Sequence, residues 1–131
     1  MLVGLILSSA VASSVSWAPS GAFALTCTGT STAYQEGVAI KQTIPWQETF
    51  KVDLSKGTYC AQSCGRKFQL SAVRQDELDL ENSTATSSSS IKRYHPSSGA
   101  IEISIVMGAS PLDRLHIEQA GVCKMVAKPS K

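Results

Sequence analysis

The four cysteines, Cys27, Cys60, Cys64 and Cys123, are the residues whose type and spacing bear most directly on chemistry. Cys60 and Cys64 are separated by three residues, one more than in the C-x-x-C motif of thioredoxin-like redox sites, and no β-α-β pattern surrounds them. A zinc ribbon needs two close-spaced cysteine pairs, and this chain has one. An even number of cysteines is typical of an exported chain with structural disulfides. We therefore expect two disulfide bonds and neither a redox site nor a zinc site.

Four cysteines allow three disulfide connectivities, and the sequence does not decide among them. We favour Cys27–Cys123 with Cys60–Cys64, because Cys27 lies near the start of the expected domain and Cys123 lies in its last strand-like segment. A bridge from Cys60 to Cys64 requires a non-helical turn, since i,i+4 positions on a helix give poor disulfide geometry. The alternative crosses the pairs, with Cys60 and Cys64 each joined to one end of the chain.

Hydrolytic chemistry would need a serine, a histidine and an acid, and the chain offers Ser97 or Ser98, His95 or His116, and Asp113. It lacks the G-x-S-x-G motif of the nucleophile elbow, and in a serine-rich chain some serine lies near some histidine by chance. The two histidines with Asp113 match no known metal-ligand spacing. We expect no enzyme, no cofactor and no metal site.

Acidic and basic residues give no stronger signal. The acids Asp76, Glu77, Asp79 and Glu81 lack the glycine and the spaced glutamate of an EF-hand loop, and they fit the solvated face of a strand. The net charge is +2 and the basic residues are dispersed, which does not favour a nucleic-acid partner.

Three residues are candidates for a binding surface. Trp46 follows Pro45 and precedes a strand, so it is expected at the rim of a sheet, where an exposed aromatic ring makes contacts. Tyr94 and His95 are expected at a hairpin tip, and loops on a rigid scaffold commonly carry recognition. Phe50 and Phe68 are expected in the core.

The first residues predict an export signal. An apolar run from Leu2 to Ala12 carries no charge and is too short for a membrane span, which needs roughly 20 apolar residues. The segment Ala22-Phe23-Ala24 has the small-x-small pattern that signal peptidase recognises, although no lysine or arginine precedes the apolar run. We expect a signal peptide over 1–24, a single domain over 25–131 without a stable membrane span, and a periplasmic or secreted location.

The elements that would position these residues are predicted to be strands. Apolar and polar residues alternate in several short segments, among them Thr49–Leu54, Ile101–Ile105 and Leu115–Glu118, with turn residues between them. No segment has the apolar stripe of an amphipathic helix. Ser83–Ser90 is expected to be a flexible surface loop. The pattern predicts an all-β fold, either a small antiparallel sandwich or a partly open barrel, stapled by disulfides.

Several short motifs occur in a fixed order across the expected domain. They are Cys27-Thr28-Gly29, Phe50-Lys51-Val52-Asp53-Leu54, Tyr59-Cys60 with Cys64, Leu78–Leu80, Arg93 with Ser98-Gly99, and Gly121-Val122-Cys123. In this order the chain resembles a group of small exported bacterial proteins, common in alphaproteobacteria and without assigned function. The resemblance implies export and a β fold, and it supplies no catalytic residue.

The expected function is a non-catalytic periplasmic binding or inhibitor module whose partner is an envelope protein or a glycan. Small disulfide-bonded β proteins that inhibit lysozyme share this general architecture, which is an analogy of fold alone. Two alternatives stay open: an envelope-associated structural or stress protein, and a lipocalin-like carrier of a small ligand.

Overall fold

The computed structural model describes Trp17 and residues 21–62, 64–85, 87–108 and 114–127. Among these residues there are nine strands and no helix, so the prediction of an all-β fold is confirmed. The strands are β1 (Ala22–Gln35), β2 (Lys41–Asp53), β3 (Thr58–Ala61), β4 (Phe68–Gln69), β5 (Ala72–Val73), β6 (Leu78–Thr84), β7 (Ser88–His95), β8 (Ala100–Met107) and β9 (Leu115–Ala127).

The nine strands form one antiparallel sheet in the order β4-β3-β2-β1-β9-β8-β7-β6-β5. The two edge strands, β4 and β5, are joined along the chain by only Leu70 and Ser71. At about 3.6 Å per residue, the Cα atoms of Gln69 and Ala72 lie no more than about 11 Å apart, little more than two strand spacings. The sheet must therefore curl until its edges approach each other, which agrees with the partly open barrel rather than the sandwich.

The core lies on the concave face of the curled sheet, which we call the inner face. In β1 the buried side chains are Phe23, Leu25 and Cys27, every second residue, as expected when only one face of a strand is covered. Neighbouring strands add further buried residues to the same cluster, namely Phe50, Val52, Tyr59, Leu78, Leu80, Tyr94, Ile101 and Ile103. The expectation that Phe50 is a core residue is confirmed.

Phe68 is not a core residue, and the prediction that it would be is wrong. It lies in the two-residue edge strand β4 and is 40% exposed. Its ring packs at 5.4 Å from that of Tyr59, and the guanidinium of Arg66 lies 5.4 Å from its centre. Because an edge strand has a neighbour on one side only, the ring is covered on that side and open on the other.

Cys27 and Cys123 are directly paired across β1 and β9 and form a disulfide bond, as favoured from the sequence. Two positions further along, Gly29 faces Gly121, where the two backbones approach closely. A Cβ on Gly29 would overlap the carbonyl oxygen of Ala120, and one on Gly121 would overlap that of Thr28. Glycine at both positions thus allows β1 and β9 to approach each other closely beside the disulfide.

The serine- and threonine-rich run is mostly strand, so the prediction of a flexible loop over Ser83–Ser90 is wrong. Strand β6 continues to Thr84 and β7 begins at Ser88, and the two pair in register through Ser83 with Ser90 and Thr84 with Ser89. Low complexity did not prevent strand formation, because the ladder hydrogen bonds use the backbone and threonine has a high β propensity.

Candidate binding groove

The second disulfide closes a tight turn after β3. Cys60 and Cys64 are bonded, as favoured from the sequence. The turn between them is non-helical: Gln62 and Cys64 adopt positive φ values of 55° and 60°, and the Cys64 amide donates to the Ala61 carbonyl at 3.0 Å. Left-handed backbone at non-glycine residues is uncommon and is held here by the covalent bond and by the Gln62 amide, which donates to the Thr49 carbonyl at 2.9 Å.

This turn forms one wall of a groove on the outer face of the sheet. The strand register places Val126, Ala24, Lys51 and Cys60 side by side in one row across β9, β1, β2 and β3. Alternation along β1 directs Ala24 away from the inner face that Phe23 and Leu25 occupy. The small side chain of Ala24 leaves a hollow between its larger neighbours. The groove has a volume of about 450 Å³, within the range of small-molecule sites.

The rim of the groove is basic. The groove is lined by three exposed lysines, Lys51, Lys56 and Lys67. The acidic residue Asp53 also lines it. Neither Lys51 nor Lys67 forms an ion pair with an acidic side chain in the described part of the chain. Lys124 lies two residues before Val126 on the same face of β9 and adds to the positive charge.

Asp53 places one negative charge beside the three lysines, and its carboxylate caps the turn that follows β2. Its Oδ1 accepts hydrogen bonds from the Ser55 hydroxyl at 2.6 Å, the Ser55 amide at 3.1 Å and the Lys56 amide at 3.2 Å. The hydrogen bond from the Ser55 hydroxyl is the main reason that the pKa of Asp53 lies below its ordinary value, with the Lys56 amide and charge contributing further. The acid is therefore ionised and committed to the turn.

Tyr59 also borders the groove, but its phenol does not act as an acid near neutral pH. Burial, together with the smaller effects of the negative charges of Glu81 and Glu48, raises its pKa to about 12. Its ring is buried on the inner face, edge-on to Phe50 at 6.3 Å. The groove thus presents an apolar floor and fixed positive charge, an arrangement suited to holding an anion that carries an apolar part.

The three residues predicted from the sequence to form a binding surface do not come together on one surface. Trp46 is partly buried and packs against the core from the inner face, opposite Gly29. Tyr94 is 3% exposed and belongs to the core. His95 points to the outer face, 3.8 Å from Glu102. Alternation separates Tyr94 from its neighbour, because consecutive strand residues face opposite sides of the sheet.

The residues considered for a triad are also separated. His95 pairs with Ala100 and His116 with Val106, so the two rows are six residue steps apart along β8, or about 20 Å. His116 contacts Glu36 at 2.7 Å and stacks on Tyr34. Asp113 lies outside the described residues. No group of three or more His, Cys, Asp or Glu residues in the described part of the chain is placed to hold a metal ion.

A charged cluster lies at the β5–β6 edge. Asp79 is almost fully buried and accepts from Arg74 at 3.0 Å and from Arg93 at 3.2 Å, and Glu77 lies within 3.3 Å of Arg74 and 3.0 Å of Arg93. The two carboxylates and two guanidiniums form ion pairs and hydrogen bonds with one another, so we interpret the cluster as a structural network rather than an open binding site.

Sequence reasoning missed the lysine-lined groove. Lys51 alternates with apolar neighbours in β2, which indicates no more than a solvated strand face. The one available signal was the short spacing of Cys60 and Cys64, which predicts a tight turn but does not predict on which face of the sheet that turn lies. No family model matches this chain, and no curated protein matches it. None of the described residues belongs to a helix that could cross a membrane.

Proposed function

We propose that this chain is an exported, non-catalytic binding module that holds an organic anion in the groove beside the Cys60–Cys64 disulfide. The single observation that carries the proposal is the composition of the groove: an apolar floor with three exposed lysines and one aspartate that is already engaged in a turn. Charge-assisted hydrogen bonds from lysine suit carboxylate or phosphate, and the apolar floor suits a few carbons beside that group.

Export is part of the proposal and has its own support. Two disulfide bonds suit an oxidising compartment, the periplasm or the exterior of the cell. The resemblance to small exported bacterial proteins and the apolar first residues point the same way. The partner expected from the sequence, an envelope protein or a glycan, is compatible with the groove where it presents an acidic group.

The groove differs from the site of a lipocalin-like carrier, the alternative function that also binds a small ligand. A lipocalin holds its ligand inside the barrel, whereas here the inner face is occupied by the packed core. The outer face carries the groove, which favours a ligand that is bound at the surface and remains partly exposed.

The test is a titration of the protein, purified from the periplasm of an expressing bacterium, followed by two-dimensional NMR of its backbone amides. Octanoate is the probe for an anion with an aliphatic body and glucuronate is the probe for an acidic glycan, with octanol as the uncharged control. We expect one of the two anions to shift the amides of Ala24, Lys51 and Cys60, and octanol to shift them far less.

Variants separate groove binding from general attraction of anions. The double change Lys51→Gln with Lys67→Gln should weaken binding at least about tenfold, because two charge-assisted contacts are lost. Lys41→Gln removes one positive charge from the opposite end of β2 and should leave the affinity within about twofold. Equal effects of both changes, or amide shifts spread over the whole surface, would contradict a specific site.

A further inference from the structure

Residues before the predicted signal-peptidase site are part of the folded domain. The indole Nε1 of Trp17 donates a hydrogen bond to the carbonyl oxygen of Arg74 at 3.0 Å. The same ring packs edge-to-face against Phe23, at 5.7 Å between ring centres, and against Tyr94, at 6.4 Å. Phe23 is 2% exposed and is one of the largest fully packed side chains of the core. Trp17 therefore covers one end of the core.

The backbone of the same segment is also committed to the sheet. The Leu54 amide donates to the Gly21 carbonyl, and Ala22, Phe23 and Ala24 are in register with Asp53, Val52 and Lys51 of β2. Phe23 and Ala24 are in register with β9 as well. A cut after Ala24 would remove Trp17, a buried phenylalanine and the first strand pairs of β1, and it would open the core beside Tyr94.

The sequence offers an earlier site that spares all of these contacts. Ala10-Val11-Ala12 has the same small-x-small pattern and directly ends the apolar run that begins at Leu2. An apolar stretch of about 7–15 residues followed at once by such a site is the usual order in a signal peptide. The second pattern, Ala22-Phe23-Ala24, is separated from that run by several polar residues and by Trp17 and Pro19.

We infer that signal peptidase cuts this chain between Ala12 and Ser13, and that Trp17 to Ala24 remain as the first part of the mature domain. The cut is a hydrolysis in which water supplies the hydroxyl of the new Ala12 carboxyl group and the proton of the new Ser13 amine. This inference rests on the proposed export, but it assigns a different boundary from the one that the Ala24 pattern predicts.

The experiment expresses the full chain in a Gram-negative host and measures the intact mass and the N-terminal sequence of the periplasmic product. We expect a product that begins at Ser13 and retains both tryptophans, Trp17 and Trp46. A product that begins at Leu25 has Trp46 alone, so its absorbance at 280 nm relative to its peptide absorbance is visibly lower. That product, or a product cut at any other position, would overturn the inference.

Two matched changes test the site without relying on the folded state, because processing precedes folding. Ala12→Leu should leave most of the chain unprocessed, and Ala24→Leu should leave processing unchanged; the reverse pattern would overturn the inference. An uncut chain retained in the cytoplasm would refute the proposed export, which distinguishes that failure from a cut at the wrong place.

A chain shortened to begin at Leu25 should melt at least about 10 °C below one that begins at Ser13. Equal melting temperatures would overturn the structural argument for the inference, because Trp17 and Phe23 would then contribute nothing to the stability of the fold.

Discussion

The three long strands of the sheet, β2, β1 and β9, have two halves that are held in different ways. In the near half, Ala22–Cys27 and Glu48–Asp53 direct Phe23, Leu25, Cys27, Phe50 and Val52 into the core. In the far half, which comprises Thr28–Gln35, Lys41–Gln47 and Leu115–Val122, all of them described, no residue is buried. One continuous ladder of paired strands therefore passes from a packed core into a layer that is open to solvent.

In the far half, polar and stacked side-chain pairs hold neighbouring strands together in place of a buried core. Tyr34 and His116 are paired across β1 and β9, and their rings stack with 4.7 Å between centres. Lys41 is paired with Tyr34 from the other neighbouring strand, β2, and its Nζ lies 4.8 Å from the centre of the Tyr34 ring. Thr32 and Thr43 share a hydrogen bond of 2.9 Å across β1 and β2. Each such pair contributes roughly 0.2–1 kcal/mol, far less than a buried aromatic residue. The far half thus depends on the near half for its stability.

The largest expected effect comes from removing the Cys27–Cys123 disulfide, which lies where the near half meets the far half. The double change Cys27→Ala with Cys123→Ala opens a bridge that spans 96 residues of sequence, which the chain-entropy model values at about 4–5 kcal/mol. The double change Cys60→Ala with Cys64→Ala opens a bridge over 4 residues, for which the same model gives about 2 kcal/mol.

Urea unfolding of the two double variants gives the free energies that test this order. We expect the Cys27/Cys123 variant to be the less stable of the two by a clear margin. Equal losses, or a larger loss for the Cys60/Cys64 variant, would show that the local turn, rather than the tie between β1 and β9, limits stability.

A single strand allows the second test, because Phe50 and Ile44 lie on the same face of β2, six residues apart. Phe50 is fully buried and Ile44 is 53% exposed. Phe50→Ala should lower the free energy of unfolding by about 3–5 kcal/mol, through lost burial and the cavity that remains. Ile44→Ala should cost about 1 kcal/mol or less, since water already reaches that side chain. Thermal melting would measure both, and a large loss for Ile44→Ala would indicate that the far half is covered in solution.

The near half shows how far the sequence could predict this fold. The alternation in Thr49–Leu54 and Ile101–Ile105 identified strands and their buried sides, because one covered face imposes a period of two. The far half of β2 gave no such signal: it begins with Lys41-Gln42-Thr43-Ile44, where the exposure of both faces removes the pattern. Strand formation there follows from the neighbouring ladder, which is a tertiary effect that a local pattern does not contain.

The candidate groove escaped prediction for a related reason. Its row joins Val126, Ala24, Lys51 and Cys60 from four strands, and the register that aligns them depends on the whole sheet. The disulfide pairing was within reach because first and last strands that become neighbours place Cys27 opposite Cys123. The positions of Tyr94 and His95 were misjudged because the hairpin tip lies after them: the turn is at residues 96–99, and both residues belong to β7.

The smallest expected effects come from changing two acids to their amides, one of them buried beside the core and the other exposed next to the far half. Asp79 is 3% exposed, and although burial alone would raise its pKa, hydrogen bonds with Glu77, Arg74 and Arg93 hold it below its ordinary value of 3.8. Asp79→Asn should cost about 1–2 kcal/mol near neutral pH, a figure reduced because Arg74 is largely exposed to solvent. Glu36→Gln, at an exposed pair with His116, should cost less than about 1 kcal/mol.

The pH dependence of that difference separates a charge effect from a change of shape. A lowered folded-state pKa means that the stability from Asp79 is complete above its unfolded pKa, near 3.8, and is lost as the pH falls through the folded-state pKa below it. Glu77 acts in the opposite sense: its hydrogen bond with Asp79, together with its partial burial, raises its pKa, so its contribution is present at low pH and is lost as the pH rises through that raised value. Urea unfolding at pH 7 and at pH 3 should therefore show the cost of Asp79→Asn shrinking at pH 3, with Glu36→Gln as the control. A cost that is the same at both pH values would mean that Asp79 stabilises β6 through its packing and not through its charge.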